Sequence, residues 1–444
     1  MVPVPRDNIL INKTAGEYEQ RRTKAMPMWF GNTKVYLSAF YKKIAGHLLN
    51  TLWFTGACVF YLFRIRILIN CRTYGIGHLA VEPGWFIVKK KINPWLERHK
   101  YILLLANDEY GIIANHYLLS VLNDYFIIFR SRLINQLLKQ VSRFPFISID
   151  IGKAPPPERE KDKDQRRYIQ EANTRNINIL KDIELYRKNG HEAIIFLPDN
   201  ILEKGEKELK RLGIDKDEWF VCLHASEVAL DGDCNYHPWR RQVISDYYGM
   251  IRHIADIGGR VVRMGHPKLP HAAKDIPLID YPKTEQRSDW MDIFLISRCR
   301  YFIGCLSGLQ WVAVILGKPQ ILTNIIAWQT PPGLEGDIYL PKMIRSEKTG
   351  AYLTADEFID NNFDMIHFSF PPGFTSVPNS EEDLISAVDE MEQQLKNGLT
   401  DFSPLQKAWK QKMQWGRNYY PTNVKISESF IDRYKDLLLN TNDI

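Results

Sequence analysis

The sequence predicts an α/β protein of two Rossmann-like halves facing each other across a cleft, with an apolar helix before them and helices after them. Short apolar runs alternate with helix-length stretches from Arg64 onward, the signature of a parallel sheet with helical crossovers. The alternation breaks at a proline-rich, mixed-charge stretch, GKAPPPEREKDKDQRR (152–167), and restarts at WFVCLHAS (219–226). A chain of 444 residues, 45% hydrophobic and 25% charged, is long enough for two such cores.

In the first half, RIRILINC (64–71) reads as a strand entering a glycine turn, YGIG, that opens a helix. KYILLLAND (100–108) is the second strand, EYGIIANHYLLSVLNDY (109–125) a helix and YFIIF (125–129) a third strand. The helix RRYIQEANTRNINILKDIELYRKNG ends at Gly190 as its C-cap, HEAIIFLPDN (191–200) reads as a strand, and ILEKGEKELKRLG (201–213) bridges to the second half. There WFVCLHAS, RVVRMG (260–265) and LIDYP (278–282) read as strands, and ISDYYGMIRHIADIGG (244–259) and SDWMDIFLISRC (288–299) as helices. FIGCLSGLQWVAVILGKPQILTN (302–324) is a strand, a Ser-Gly turn, an uncharged helix, a Gly-x-Pro turn and a strand. The boundaries are 1–63 for the N-terminal segment, 64–214 and 215–379 for the halves, and 380–444 for C-terminal helices expected to cross back to the first half. Two such halves joined by a helix describe a GT-B-type architecture, with ligands at the carboxyl ends of the strands.

A formal charge of +6 is too small to indicate nucleic acid, and no nucleic-acid-binding signature is present. It suits an anionic ligand or an acidic membrane surface. The six cysteines contain no C-x-x-C pair, which argues for free thiols in a reducing compartment rather than zinc or a disulfide framework. The opening MVPVPRDN lacks the basic-then-apolar design of a signal peptide, so the body is expected in the cytoplasm. Ile44 to Phe63 carries no Asp, Glu, Lys or Arg and is flanked by Lys42-Lys43 and by Arg64 and Arg66. Attachment to the inner face of the cytoplasmic membrane is the favoured reading of this stretch, over a buried helix or a full span.

Four turns at strand carboxyl ends are the candidate sites. At Gly75-Ile76-Gly77-His78 the glycines admit a close approach, and His78 is a candidate base near neutral pH, with Glu82 one helical turn on to orient or replace it. At the end of FVCLHASE, His224 and Glu227 are expected at the cleft rim, binding a hydroxyl or acting as a base. Arg263, two residues before Gly265, has the planar fork that grips two phosphate oxygens. Ser307-Gly308-Leu309 opens an uncharged helix whose N-terminal amides suit a diphosphate, with Ser307 as N-cap or phosphate donor. A structural His, a packed His, a surface Arg and a plain capped helix are the alternatives at these turns. Asp231-Gly232-Asp233 has metal-binding spacing but sits in the wrong fold for it, so no metal is expected.

YGIGHLA (74–80), FVCLHASE (220–227), GGRVVRMG (258–265), the long run from Asp292 to Asn324 and ISESFIDRYKDLL (426–438), in this order, resemble a group of bacterial glycosyltransferases of surface-polysaccharide and surface-modification loci. The strand-Ser-Gly-helix-Gly-x-Pro unit also looks like the heptosyltransferase pattern, in which this turn holds the donor's diphosphate. The resemblance implies a GT-B fold, a nucleotide-sugar donor in the second half, an acceptor in the first, and metal-independent transfer with no cofactor. It places Arg263, Gly265, Ser307, Gly308 and Leu309 on the donor side and Gly75, Gly77 and His78 on the acceptor side. The chain departs from the pattern at Ser226, where the family tends to have Arg, and at Tyr236-His237-Pro238-Trp239-Arg240-Arg241, where Arg240 or Arg241 is expected to supply the missing charge.

The function expected is therefore transfer of a sugar from a nucleotide-sugar to a hydroxyl of a glycan or lipid-linked acceptor. A nucleotide-sugar epimerase of the same fold and a non-catalytic sugar-binding or scaffold protein are the rivals. The sugar, the linkage, the stereochemical course and the oligomeric state are not legible in the sequence.

Overall fold

A computed structural model describes residues 29–105, 112–152, 178–227, 242–328, 331–361, 363, 372–414 and 422–439. The long helix α1 (Trp29–Leu62) comes first. Its residues up to Gly56 form one compact unit, and Ala57–Ile444 form another. Among the described residues no helix is long and apolar enough to cross a membrane.

The larger unit contains two parallel sheets. In the first half, β1 (Ile65–Cys71) leads into α2 (Ile76–Ile92), and the short α3 (Pro94–Glu97) precedes β2 (Lys100–Leu105). Then come α4 (His116–Leu122), α5 (Arg132–Val141) and β3 (Ser148–Asp150). The sheet order is β2–β1–β3. Ile127 adds a single parallel bridge to Ile102, so YFIIF is not a full strand, and the third strand is the short SID segment instead. The predicted helix 109–125 is described only as α4, capped by Asn115.

Helix α6 (178–188) ends near Gly190, which has a left-handed φ of 87°. The predicted strand at 191–200 is not one. The amides of Ile194 and Ile195 both donate to the Ile315 carbonyl (2.8 and 3.1 Å), so this segment stops a helix of the second half instead of joining a sheet. Helix α7 (Asp199–Arg211) links the halves.

In the second half, β4 (Trp219–His224), α8 (Tyr248–Asp256), β5 (Gly259–Arg263), β6 (Leu278–Ile279), α9 (Asp289–Arg298), β7 (Phe302–Gly304), α10 (Gly308–Ile315) and β8 (Gln320–Ile325) follow the predicted alternation. Beyond them lie β9 (Ile338–Pro341), an antiparallel pair β10 (Met343–Ser346) and β11 (Phe374–Val377) with α11 (Ala355–Asp360) between, and α12 (Glu381–Asn397) to α13 (Pro404–Met413). The chain closes with β12 (Lys425–Ile426), α14 (Glu428–Arg433) and α15 (Lys435–Leu438). The parallel sheet has the order β12–β9–β8–β7–β4–β5–β6.

The C-terminal segment packs mainly on the second half. β12 is the edge strand of the second sheet, and Val388, Met391, Trp409, Phe430 and Ile431 are buried in the core on that sheet's side. A bond from Asn423 to Glu184 (2.9 Å) touches the first half.

One continuous apolar core joins the halves, running from Leu79, Val81 and Phe86 of α2 through Val312–Ile315 of α10 to Phe294 of α9. Glycine makes this approach possible. A methyl on Gly77 would lie 2.8 Å from Cα of Gly308, and one on Gly84 would lie 2.7 Å from Cγ2 of Ile315. Both contacts advance by seven residues along each helix, so α2 and α10 run parallel, with their N-termini side by side. The halves pack on each other along this seam.

Candidate active site

The two predicted glycine turns meet at this seam. Gly75 is the N-cap of α2, with Gly77 and His78 in its first turn, and Ser307 is the N-cap of α10, which opens with Gly308 and Leu309. Gly77 and Gly308 are therefore small because the two turns touch, a packing reason that precedes any ligand.

Neither helix is capped by a side chain, and neither has an acidic residue in its first turn. α4, α5, α11, α12, α13 and α14 have a side chain accepting from a first-turn amide, whereas α7, α8, α9 and α15 share with α2 and α10 the lack of one, so what distinguishes α2 and α10 is that their N-termini lie together. Ser307 stands at the N-cap position of α10 with extended backbone, yet its Oγ accepts from no amide and is sealed from solvent without a partner. Two parallel N-termini put two partial positive charges together, which disfavours the empty arrangement and favours an anion.

At the mouth of the same turn, Nδ1 of His78 donates to Oε1 of Glu82 at 2.9 Å. The Glu82 side chain is fully buried and the His78 side chain 39% exposed. The other carboxylate oxygen accepts from the Arg72 amide (3.2 Å), which fixes the orientation of the acid. A carboxylate on Nδ1 leaves Nε2 as the basic nitrogen, the arrangement a general base needs.

The other predicted residues form a second group at the ends of β4 and β5. Arg263 is fully buried, a finding that corrects the expectation of a phosphate-facing guanidinium. Its Nη1 donates to Asp280 (3.0 Å) and to the Pro270 carbonyl (2.8 Å), and its Nη2 pairs with Glu227. Both terminal nitrogens are thus committed, because a buried cation is tolerated only when paired. Glu227 is equally committed, accepting also from the Ile244 amide at 3.1 Å, and so it is not a base at a cleft rim. Gly265 has a φ of 146°, which explains the glycine by backbone conformation.

His224 lies in register with Gly304, one strand away from the Ser307 turn. Burial, reinforced by the Arg263 guanidinium, holds its imidazole down to about 4, so it is neutral at pH 7. Its Nδ1 is buried and has no partner. Arg240, Arg241 and Asp231–Asp233 lie outside the described residues. Among the described residues no cluster of His, Cys, Asp and Glu has metal-site geometry.

Several residues escaped the sequence reading. Asp289, at the start of α9, accepts from the His116 amide (2.7 Å) and through its carbonyl from Asn115 (2.9 Å), a second tie between the halves. Asp280, the partner of Arg263, directly follows β6, in the middle of the LIDYP stretch. Tyr281 donates to Asp292 (2.7 Å), whose carboxyl burial pushes up to about 6.

No protein-family model matches the chain, and no curated protein is significantly similar to it. Among solved structures it is similar in fold to a glycosyl transferase of family 9 from Veillonella parvula, at 13% identity over 74% of this chain and 96% of that one, with a TM-score of 0.41. The E. coli ADP-heptose lipopolysaccharide heptosyltransferase II gives 13% identity, 75% and 99% coverage and a TM-score of 0.37. The dodecameric iron-containing heptosyltransferase TibC, solved with ADP-D-β-D-heptose, gives 14%, 76% and 77%, and 0.36. At these identities and scores the likenesses assign no substrate and no residue role.

Proposed function

We propose that the protein is a glycosyltransferase that moves a sugar from a nucleotide-sugar to a hydroxyl of a glycan or lipid-linked acceptor without a resident metal. The observation that carries this reading is the meeting of two parallel helix N-termini without side-chain caps, beside a histidine paired with a buried carboxylate. The amides of Gly308 and Leu309 and the Ser307 hydroxyl receive the diphosphate and stabilise it as it leaves. His78 takes the acceptor proton on Nε2, and Glu82 balances the imidazolium that forms. Arg263, Glu227 and Asp280 act as a buried brace that fixes the ends of β4, β5 and β6. The neutral His224 and the partnerless Ser307 Oγ offer polar atoms to the donor.

The acceptor is held at the inner face of the cytoplasmic membrane by the 44–63 stretch, which has exposed Leu48 (67%), Leu52 (60%) and Leu62 (78%) between its basic flanks. A thermal-shift screen of nucleotide-sugars followed by a transfer assay tests the reading. One donor should raise the melting temperature and turn over only when an acceptor is present. Turnover without any acceptor would point to the epimerase, and no shift with any donor would refute donor binding.

A further inference from the structure

Helix α5 faces solvent with the wrong side chains for a surface helix. Its inner face is set by Asn135, which is 3% exposed, accepts from the Leu105 amide (3.2 Å) and donates to the Phe129 and Ser131 carbonyls (2.6 and 3.0 Å). Leu138 and Val141 are buried on the same face. With the rotation fixed, Leu133 (65% exposed), Ile134 (37%) and Leu137 (45%) must point outward. Polar bonds hold this helix so that it cannot turn its leucines inward.

Along the segment itself the charge has one sign. From Phe126 to Ile147 the chain carries Arg130, Arg132, Lys139 and Arg143 and no acidic residue. All four are exposed, and none of them is ion-paired with a described residue. Beyond the helix in sequence there is more exposed apolar surface: Phe146 meets the Tyr61 ring edge-on at 5.8 Å, and Leu62 and Phe63, which follow Tyr61, are exposed. Scattered exposed leucines are ordinary, but three exposed aliphatic side chains on one short helix, interspersed in sequence with unpaired cations, are not.

We infer that α5, with Phe146 and the 61–63 end of α1, is a docking face for an anionic lipid bilayer. The aliphatic side chains enter the acyl boundary while the arginines and Lys139 meet acidic headgroups, each cation adding to the attraction. This face extends the membrane-side reading to residues of the first half, and it stands or falls without reference to sugar transfer. It places the acceptor half of the molecule, rather than the donor half, against the lipid.

The test is co-sedimentation of the full chain with phosphatidylcholine vesicles with and without about one-third phosphatidylglycerol. The wild type should bind only the anionic vesicles. Arg132→Gln/Lys139→Gln/Arg143→Gln should weaken binding about a hundredfold, and Leu133→Gln/Leu137→Gln should weaken it about tenfold or more. These side chains are exposed, so the melting temperature should hold. Hydrogen exchange on the wild type gives a second reading, with amides of 130–146 slowed on vesicles. Unchanged binding by both variants, or no added protection at 130–146, would overturn the proposal. So would a dimer seen by light scattering that the leucine variant dissociates while vesicle binding is absent, since the face would then belong to a second copy.

Discussion

His78 and Glu82 sit one turn apart on α2, and the pairing was legible from their spacing alone, because positions i and i+4 share a helix face. His78→Ala should lower transfer at least about a hundredfold, the ordinary worth of a positioned base, while nucleoside diphosphate affinity is unchanged. Calorimetry beside a transfer assay checks the split, and an equal loss in both would place His78 in donor binding instead. Arg263 illustrates what sequence does not reveal. Its position at a strand end was right, but whether a guanidinium meets a ligand or a carboxylate depends on Asp280 and Glu227, which come from other strands and loops. His224 has a pH consequence. Its imidazole, ordinarily near 6.5 and held near 4 when folded, is protonated first in the unfolded chain, so its contribution is intact above about 6.5 and is lost as pH falls toward about 4. Asp292 and Asp337, pushed up to about 6, act in the opposite sense over the acid range, since the folded chain protonates them first. His224→Phe removes one slope and leaves the others. The stability difference between wild type and variant should therefore shift by on the order of 3 kcal/mol between pH 7 and pH 4, as read from denaturant midpoints. A difference independent of pH would contradict the buried, neutral imidazole.

Among the elements, parallel strands of the second half such as β4 and β7 were legible because they are short, largely apolar runs, the mark of strands buried on both faces. Two segments of the same kind deceived. HEAIIF has the apolar run of a strand but spends its amides on the end of α10, and YFIIF makes one bridge. The short β3 was missed because SID has too little apolar content to stand out from a loop. The α2–α10 seam was invisible for a different reason: a glycine announces that a side chain is unwanted, not what stands in its place. Gly77→Ala should destabilise the fold by about 1–3 kcal/mol, because its methyl meets backbone at Gly308 that cannot move aside. Gly46→Ala, with nothing within 4 Å, should be neutral or slightly stabilising in its helix. Thermal melts of the two variants check this pair, and a neutral Gly77→Ala would show that the seam is loose.

For the molecule as a whole, the seam has two effects at once. It joins the first half and one face of the second sheet in a shared core, and it sets two helix N-termini side by side where strands of both sheets end. The same glycines that permit the packing concentrate positive potential at Ser307, so the fold's stability and its affinity for an anion have a common origin. This coupling of packing to charge is the central claim. The most direct measurement is a calorimetric titration of the wild-type chain with a nucleoside diphosphate and with the matching nucleoside, repeated on Ser307→Ala. The account predicts binding that depends on the diphosphate, is nearly absent for the nucleoside, and weakens about tenfold when the hydroxyl is removed. Equal binding of nucleoside and nucleoside diphosphate, or no binding of either, would contradict it.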